Sequence, residues 1–120
     1  MSFTLAVWEG PRPADDAAAK ATFDTLVAEF MGGRKTPPTM LVRRYVGELI
    51  TRWPDLDPGA DDDEDDIPWT DSLLINNASG PLFRFGMVFS RYREAADFAA
   101  ERARVLGLVC FDPQDERLVT

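Results

Sequence analysis

No histidine occurs in this chain, and its one cysteine is Cys110. Without imidazole, the usual general base near neutral pH and the commonest transition-metal ligand are both missing. Nucleophilic pairs of the Ser-His and Cys-His kind are excluded for the same reason. Cys110 sits inside the apolar run "LVCFDP", where burial should raise the thiol pKa and leave it inert. What remains is carboxylate, amide and guanidinium chemistry. Glu9 and Asp112 each follow the end of a predicted strand. Were those strands parallel neighbours, the two carboxylates would share a sheet edge and one would raise the pKa of the other. The competing reading makes both of them turn residues, since Asp before Pro is ordinary turn chemistry. Arg84 interrupts an otherwise apolar strand, where a guanidinium either reaches out to water or meets an anion. Glu9, Asn76, Asn77, Arg84 and Asp112 together form one candidate ligand site.

A second candidate is "PGADDDEDDIPWT", with six consecutive acids: Asp61, Asp62, Asp63, Glu64, Asp65 and Asp66. The run does not fit a calcium loop. Counting from Asp55 or from Asp61, no Gly falls at the sixth position and no Glu at the twelfth. No Gly-rich phosphate loop, dinucleotide fingerprint or cysteine zinc pattern occurs either, so no metal or cofactor is expected. The net charge is −8, and nine of the 21 acids fall between Asp55 and Asp71, a stretch without Lys or Arg; elsewhere 12 acids nearly balance 13 bases. The acidity is therefore local. It marks either a solvated loop or a patch for a basic protein surface, and it would repel nucleic acid. Trp53 and Trp69 bracket the run. They either pin its ends to the body or supply an aromatic contact for a partner.

These residues need a scaffold, and 120 residues suffice for one domain with its own core. Residues 3–10, "FTLAVWEG", read as a strand with two apolar faces, hence inside a sheet. A helix follows from Pro13 to the Gly32-Gly33 stop, with Phe23, Leu26, Val27, Phe30 and Met31 on one stripe. A second helix is expected from a Thr36 cap to Pro54, with Val42, Tyr45, Val46, Leu49, Ile50 and Trp53 inward. The acidic loop spans residues 55–71. "SLLINN" and "LFRFGMVFS" read as a hairpin pair, the latter with Phe83, Phe85, Met87 and Phe89 on one face. Gly86 within it marks a bulge or a close neighbour. Ser90 is expected to cap a third helix buried through Ala95, Phe98, Ala99, Val105 and Leu106. "LVCFDP" and "ERLVT" close the chain as strands. The order predicts an α+β, ferredoxin-like βαββαβ sandwich with an extra helix after the first and a short C-terminal strand. Its helices are expected on one face, burying the Phe83 row against Phe23 and Phe98.

Three segments, "LAVWEGPRP", "NNASGPL" and "GLVCFDPQ", resemble a group of short bacterial proteins without an assigned activity. In that group a strand ending in Trp-Glu opens the chain and one ending in Asp-Pro-Gln closes it. The resemblance implies no catalytic residues. Small acidic α+β domains of this style look like the immunity proteins of bacterial toxin systems. No run of about 18 apolar residues exists to cross a membrane, and "MSFTLAVWEGPRP" lacks the pattern of a secretory signal. A cytoplasmic, non-enzymatic protein-binding module is therefore expected, one that masks a basic surface of a toxin with residues 61–66, Trp69 and Trp53. The rival expectation is a ferredoxin-like small-molecule-binding domain or enzyme with its site near Glu9, Arg84 and Asp112. A third is a homodimer through the Phe-rich sheet face or an open strand edge.

Overall fold

In the computed structural model, which describes residues 2–55, 67–70 and 73–120, the chain opens with strand β1, Ser2–Trp8. Its inner half is apolar on both faces. Leu5 and Val7 point one way, Ala6 and Trp8 the other, and all four are buried. Such a strand belongs in the middle of a covered sheet. β1 pairs antiparallel with β3 (Leu82–Val88), from Ser2 opposite Val88 to Trp8 opposite Leu82. On its other side it pairs antiparallel with β4 (Val109–Asp112). β2 (Ala78–Ser79) extends the sheet beyond β3, and β5 (Arg117–Leu118) extends it beyond β4. The order is β2-β3-β1-β4-β5, antiparallel throughout.

Three helices cover this sheet. α1 (Asp16–Phe30) starts at Asp15, whose carboxylate accepts the Ala18 N–H at 2.8 Å. Ala19, Phe23, Leu26 and Val27 of α1 pack on Trp8, Leu82 and Phe111. α2 (Met40–Arg52) and α3 (Tyr92–Val105) take the opposite face, closing over Leu5, Val7, Phe83, Phe85 and Met87. The helices thus lie on both faces, contrary to the one-sided expectation. Phe23 meets Trp8 and Phe111 instead of the Phe83 row, and Phe89 turns outward, 48% exposed. One helical layer would leave half of β1's apolar surface in water. Among the described residues, no helix is long and apolar enough to cross a membrane.

Several local boundaries differ from the sequence expectation. Thr39, not Thr36, caps α2, its hydroxyl accepting the Val42 N–H at 3.2 Å. Thr36 is engaged with the β2 turn. Its N–H donates to Ser79 Oγ and its carbonyl accepts the Gly80 N–H, each at 3.0 Å. Ser90 is no cap; α3 begins at Tyr92, after Arg91 and without a side-chain cap. Its buried stripe is Ala95, Ala99 and Ala103, small residues that let the helix lie close to the sheet, while Phe98 is half-buried and Val105 is exposed. The described part of "SLLINN" forms a 3₁₀ turn, Leu74–Asn77, and the strand is the pair of residues after it. Part of the surface considered for a homodimer is covered within the chain. The Phe83, Phe85 and Met87 face is buried. Along the β3 edge, Val88 donates to the Pro68 carbonyl at 2.7 Å and Thr70 donates to the Gly86 carbonyl at 3.0 Å.

Gly80 closes the β2–β3 turn at φ +56°, and a Cβ there would meet the Phe30 ring at 2.7 Å. Gly80→Ala should therefore lower stability by about 1–3 kcal/mol, through left-handed strain and displacement of Phe30. Urea unfolding measures this; a midpoint equal to that of the natural protein would show that the turn accepts a side chain.

Candidate functional site

The site begins with an incomplete cover. α1 docks on the half of the sheet that carries Trp8, Leu82 and Phe111. Past its C-terminus the same face continues as Ser2 and Thr4 on β1, and Arg84 and Gly86 on β3. These residues floor an open cleft of about 480 Å³. Arg84 lies opposite Ala6, with Gly86 opposite Thr4, so the guanidinium rises from a floor of small side chains. Gly86 has the close neighbour its position in a strand implied: a Cβ there would meet Thr70 Oγ1 at 2.6 Å. Without that side chain, the Thr70 hydroxyl lies against the sheet at the cleft wall.

The other walls come from the α1–α2 connection and the 3₁₀ turn. Lys35 donates from Nζ to the Asn76 carbonyl, which brings a second cation to the cleft. Thr36 is tied to Ser79 and Gly80, and Thr39 donates to the Gly80 carbonyl at 3.0 Å, so this connection is anchored along β2. Asn76, Asn77 and Ser79 add amide and hydroxyl groups, and Phe30 and Met31 form an apolar side. Among the described residues, no Asp or Glu lines the cleft. Among the described residues, neither Arg84 nor Lys35 has an ion-pair partner, whereas Lys20, Arg44, Arg52, Arg102 and Arg104 all do.

Of the five residues expected to form one ligand site, Arg84, Asn76 and Asn77 come together here. Glu9 and Asp112 do not join them, and they do not meet each other. β1 and β4 are neighbours, but antiparallel, with Trp8 opposite Val109 and Ala6 opposite Phe111. The two carboxylates therefore sit at opposite ends of the strand pair, separated by about 13 Å of strand. Asp112 is a buried turn residue. Its Oδ1 accepts the Gln114 N–H at 2.9 Å, the Asp115 N–H at 3.3 Å and the Gln114 side-chain amide. Gln114 in turn bonds both backbone groups of Thr4, which fastens this turn to β1. Asp112 also borders a smaller hollow of about 340 Å³, where Asp97, Arg93 and Arg117 mix both signs of charge.

Residues 61–66 lie outside the described residues. Trp53 and Trp69, on either side of them, are described. Trp69 is buried at 1% exposure, its indole N–H donates to the Trp53 carbonyl at 2.7 Å, and its ring packs edge-on to Trp53 and Phe85. A ring so placed holds the corner together and is not presented to a partner. Trp53 is half-buried against Phe98, with the Arg52 guanidinium 4.1 Å above it. The pinning role thus accounts for both tryptophans. Cys110 is buried too, and burial first, then the charge of Asp112, pushes its thiol up to about 12. Burial likewise holds the Tyr45 hydroxyl well above its ordinary range, while that hydroxyl donates to the Ala99 carbonyl at 2.8 Å.

Compared with known proteins, the chain matches no family model, no curated sequence and no solved structure. The functional reading therefore rests on the site. Lys35 and Thr70 were not singled out from sequence. "GGRK" reads as a helix stop followed by solvated bases, and nothing in the sequence says that the base after Arg34 turns toward Arg84's strand. Gly86 did signal a close neighbour, without naming it.

Two measurements check this account. Trp69→Ala should lower stability by about 3–5 kcal/mol and Trp53→Ala by less, since only the first ring is fully enclosed; chemical denaturation gives both. An unfolded thiol ionises near 8.5, while folding keeps Cys110 protonated to about 12. The unfolded state then binds fewer protons, so stability is full below about pH 8 and falls as the pH climbs toward 12. Tyr45 adds in the same direction. Cys110→Ala should flatten that fall, and an unchanged slope would assign it to other groups.

Proposed function

We propose that this chain is a binding domain of the ferredoxin-like, split βαβ kind, and that it holds a small anionic ligand in the cleft over β1 and β3. The order β2-β3-β1-β4, antiparallel at every step, supports the fold reading. Each crossover, one through α2 and one through α3, returns past a single intervening strand on the same face. α1 and β5 are then additions to that frame. The observation that carries the ligand reading is the pair Arg84 and Lys35 in one cleft with no carboxylate among its described lining residues. An anion in the cleft would be attracted by both cations. The volume suits a small molecule, and the planar Arg84 fork suits an oxyanion. The reading is one of recognition, without a catalytic base.

The test is a ¹⁵N-¹H NMR titration with small oxyanions. Amide shifts confined to β1, β3 and residues 70–79, with affinity lowered about tenfold or more in Arg84→Ala, are the expected result. Amides of the cleft unmoved by every anion would overturn it.

The charge distribution favours a second reading. Nine acids within residues 55–71, on an otherwise near-neutral chain, favour steering toward a basic protein surface. The Trp53–Trp69 contact, with its indole bond of 2.7 Å, brings the described residues on either side of this segment to one corner. A cytoplasmic, immunity-type inhibitor that masks a toxin is the concrete form. Capture from source-cell lysate, with residues 61–66 natural or changed to Asn and Gln, distinguishes the two readings. A salt-sensitive partner held only by the natural chain supports this one, and identical capture by both removes it.

A further inference from the structure

We infer that the anion taken by the Arg84 cleft is a phosphoryl group, presented as a monoester on a compact apolar body. This inference rests on the ligand reading above and names its chemistry. Charge is the first argument. A phosphate monoester carries close to two negative charges at neutral pH, and a carboxylate carries one. Arg84 and Lys35 supply two positive charges, with no acid among the described lining residues to offset them. A carboxylate would leave one of them uncompensated.

Donor count is the second. The Arg84 guanidinium offers five N–H groups, and the Lys35 ammonium keeps two after its bond to the Asn76 carbonyl. The hydroxyls of Ser2 and Thr70 lie on the same walls, and Thr70 comes so near only because position 86 is glycine. Three terminal phosphoryl oxygens use such a set more fully than two carboxylate oxygens do.

Orientation follows from α1. Phe30 and Met31 stand at its C-terminal end, where the peptide dipoles leave negative partial charge. That end repels the anionic head and offers apolar surface. The head therefore goes to Arg84 and Lys35, and the apolar body of the ligand rests on Phe30.

Phenyl phosphate, inorganic phosphate and benzoate are the probes, titrated by NMR into the whole chain at about pH 8 and about pH 5. Phenyl phosphate should bind about tenfold or more tighter than benzoate at the higher pH. It should weaken by about tenfold at the lower, because its second ionisation lies near pH 6. Inorganic phosphate should bind at the same amides more weakly, lacking the contact with Phe30. Arg84→Lys, which keeps the charge and loses the fork, should fall between the natural protein and Arg84→Ala. Arg84 is exposed, so these variants should keep the fold, and urea unfolding verifies that they do. A phosphotyrosine peptide in a parallel arm separates the sources. Tighter phenyl phosphate assigns a free monoester and tighter peptide a phosphorylated side chain, and either supports the phosphoryl assignment. Benzoate binding as tightly as phenyl phosphate, or a phenyl phosphate affinity that ignores pH, overturns the phosphoryl assignment and leaves the ligand reading standing. No binding by any of the three removes both.

Discussion

β1 is apolar on both faces, and a strand of that kind has to be covered twice. Leu5 and Val7 require one helical layer, and Ala6 and Trp8 require another. The rest of the molecule can be read as the response. α2 and α3 close the side that also holds the β3 phenylalanines, and their apolar contacts run through Tyr45, Leu49 and three alanines spaced four apart on α3. α1 closes the other side with an aromatic group of its own, in which Phe23 lies 5.3 Å from Phe111 and 6.4 Å from Trp8. Without a second layer, Trp8 would stand in water at the centre of the sheet.

A single helix is narrower than a five-stranded sheet, so the second layer is partial. α1 ends at Phe30, and beyond it the sheet face changes from Trp8 and Phe111 to Ser2, Thr4, Arg84 and Gly86. The polar floor is thus the natural continuation of a face that no helix reaches. Arg84 is tolerated in an apolar strand because it projects into this gap. Phe83 and Phe85 on either side of it project into the core and stack at 4.7 Å. The same strand serves the core with Phe83, Phe85 and Met87 and the cleft with Arg84 and Gly86.

Charge divides the molecule in a related way. Several cations on the helices are met locally. Glu48 takes Arg102 and Arg44, Glu94 takes Arg52, and Glu101 takes Arg104. These contacts are mostly exposed and contribute little stability each. The acidic stretch begins at another fixed point, where Asp55 accepts the Leu74 N–H at 2.8 Å beside the Trp53–Trp69 contact. At this corner Trp69 bonds to the Trp53 carbonyl and packs on Phe85.

Residue periodicity and turn chemistry determined the elements by themselves. The two-faced β1 strand, the Phe83–Phe85–Met87 row, the α2 stripe, the inert Cys110 and the turn role of Asp112 all follow from local pattern, because each depends on a few neighbours along the chain. A cap could be misplaced between Thr36 and Thr39 for the same reason, since both satisfy the local rule and only the pull of Ser79 and Gly80 on Thr36 separates them. Arg84 was legible as a departure from pattern, with Asn76 and Asn77 beside it. Tertiary structure decided the rest. Antiparallel pairing sent Glu9 and Asp112 to opposite ends of their strands, and the double cover split the helices between two faces. A 3₁₀ turn carried the Asn76 carbonyl to Lys35, and a missing side chain at Gly86 let Thr70 close the cleft. Those outcomes depend on which surfaces meet across 16 to 105 residues of chain, through burial and packing that no short window of sequence contains.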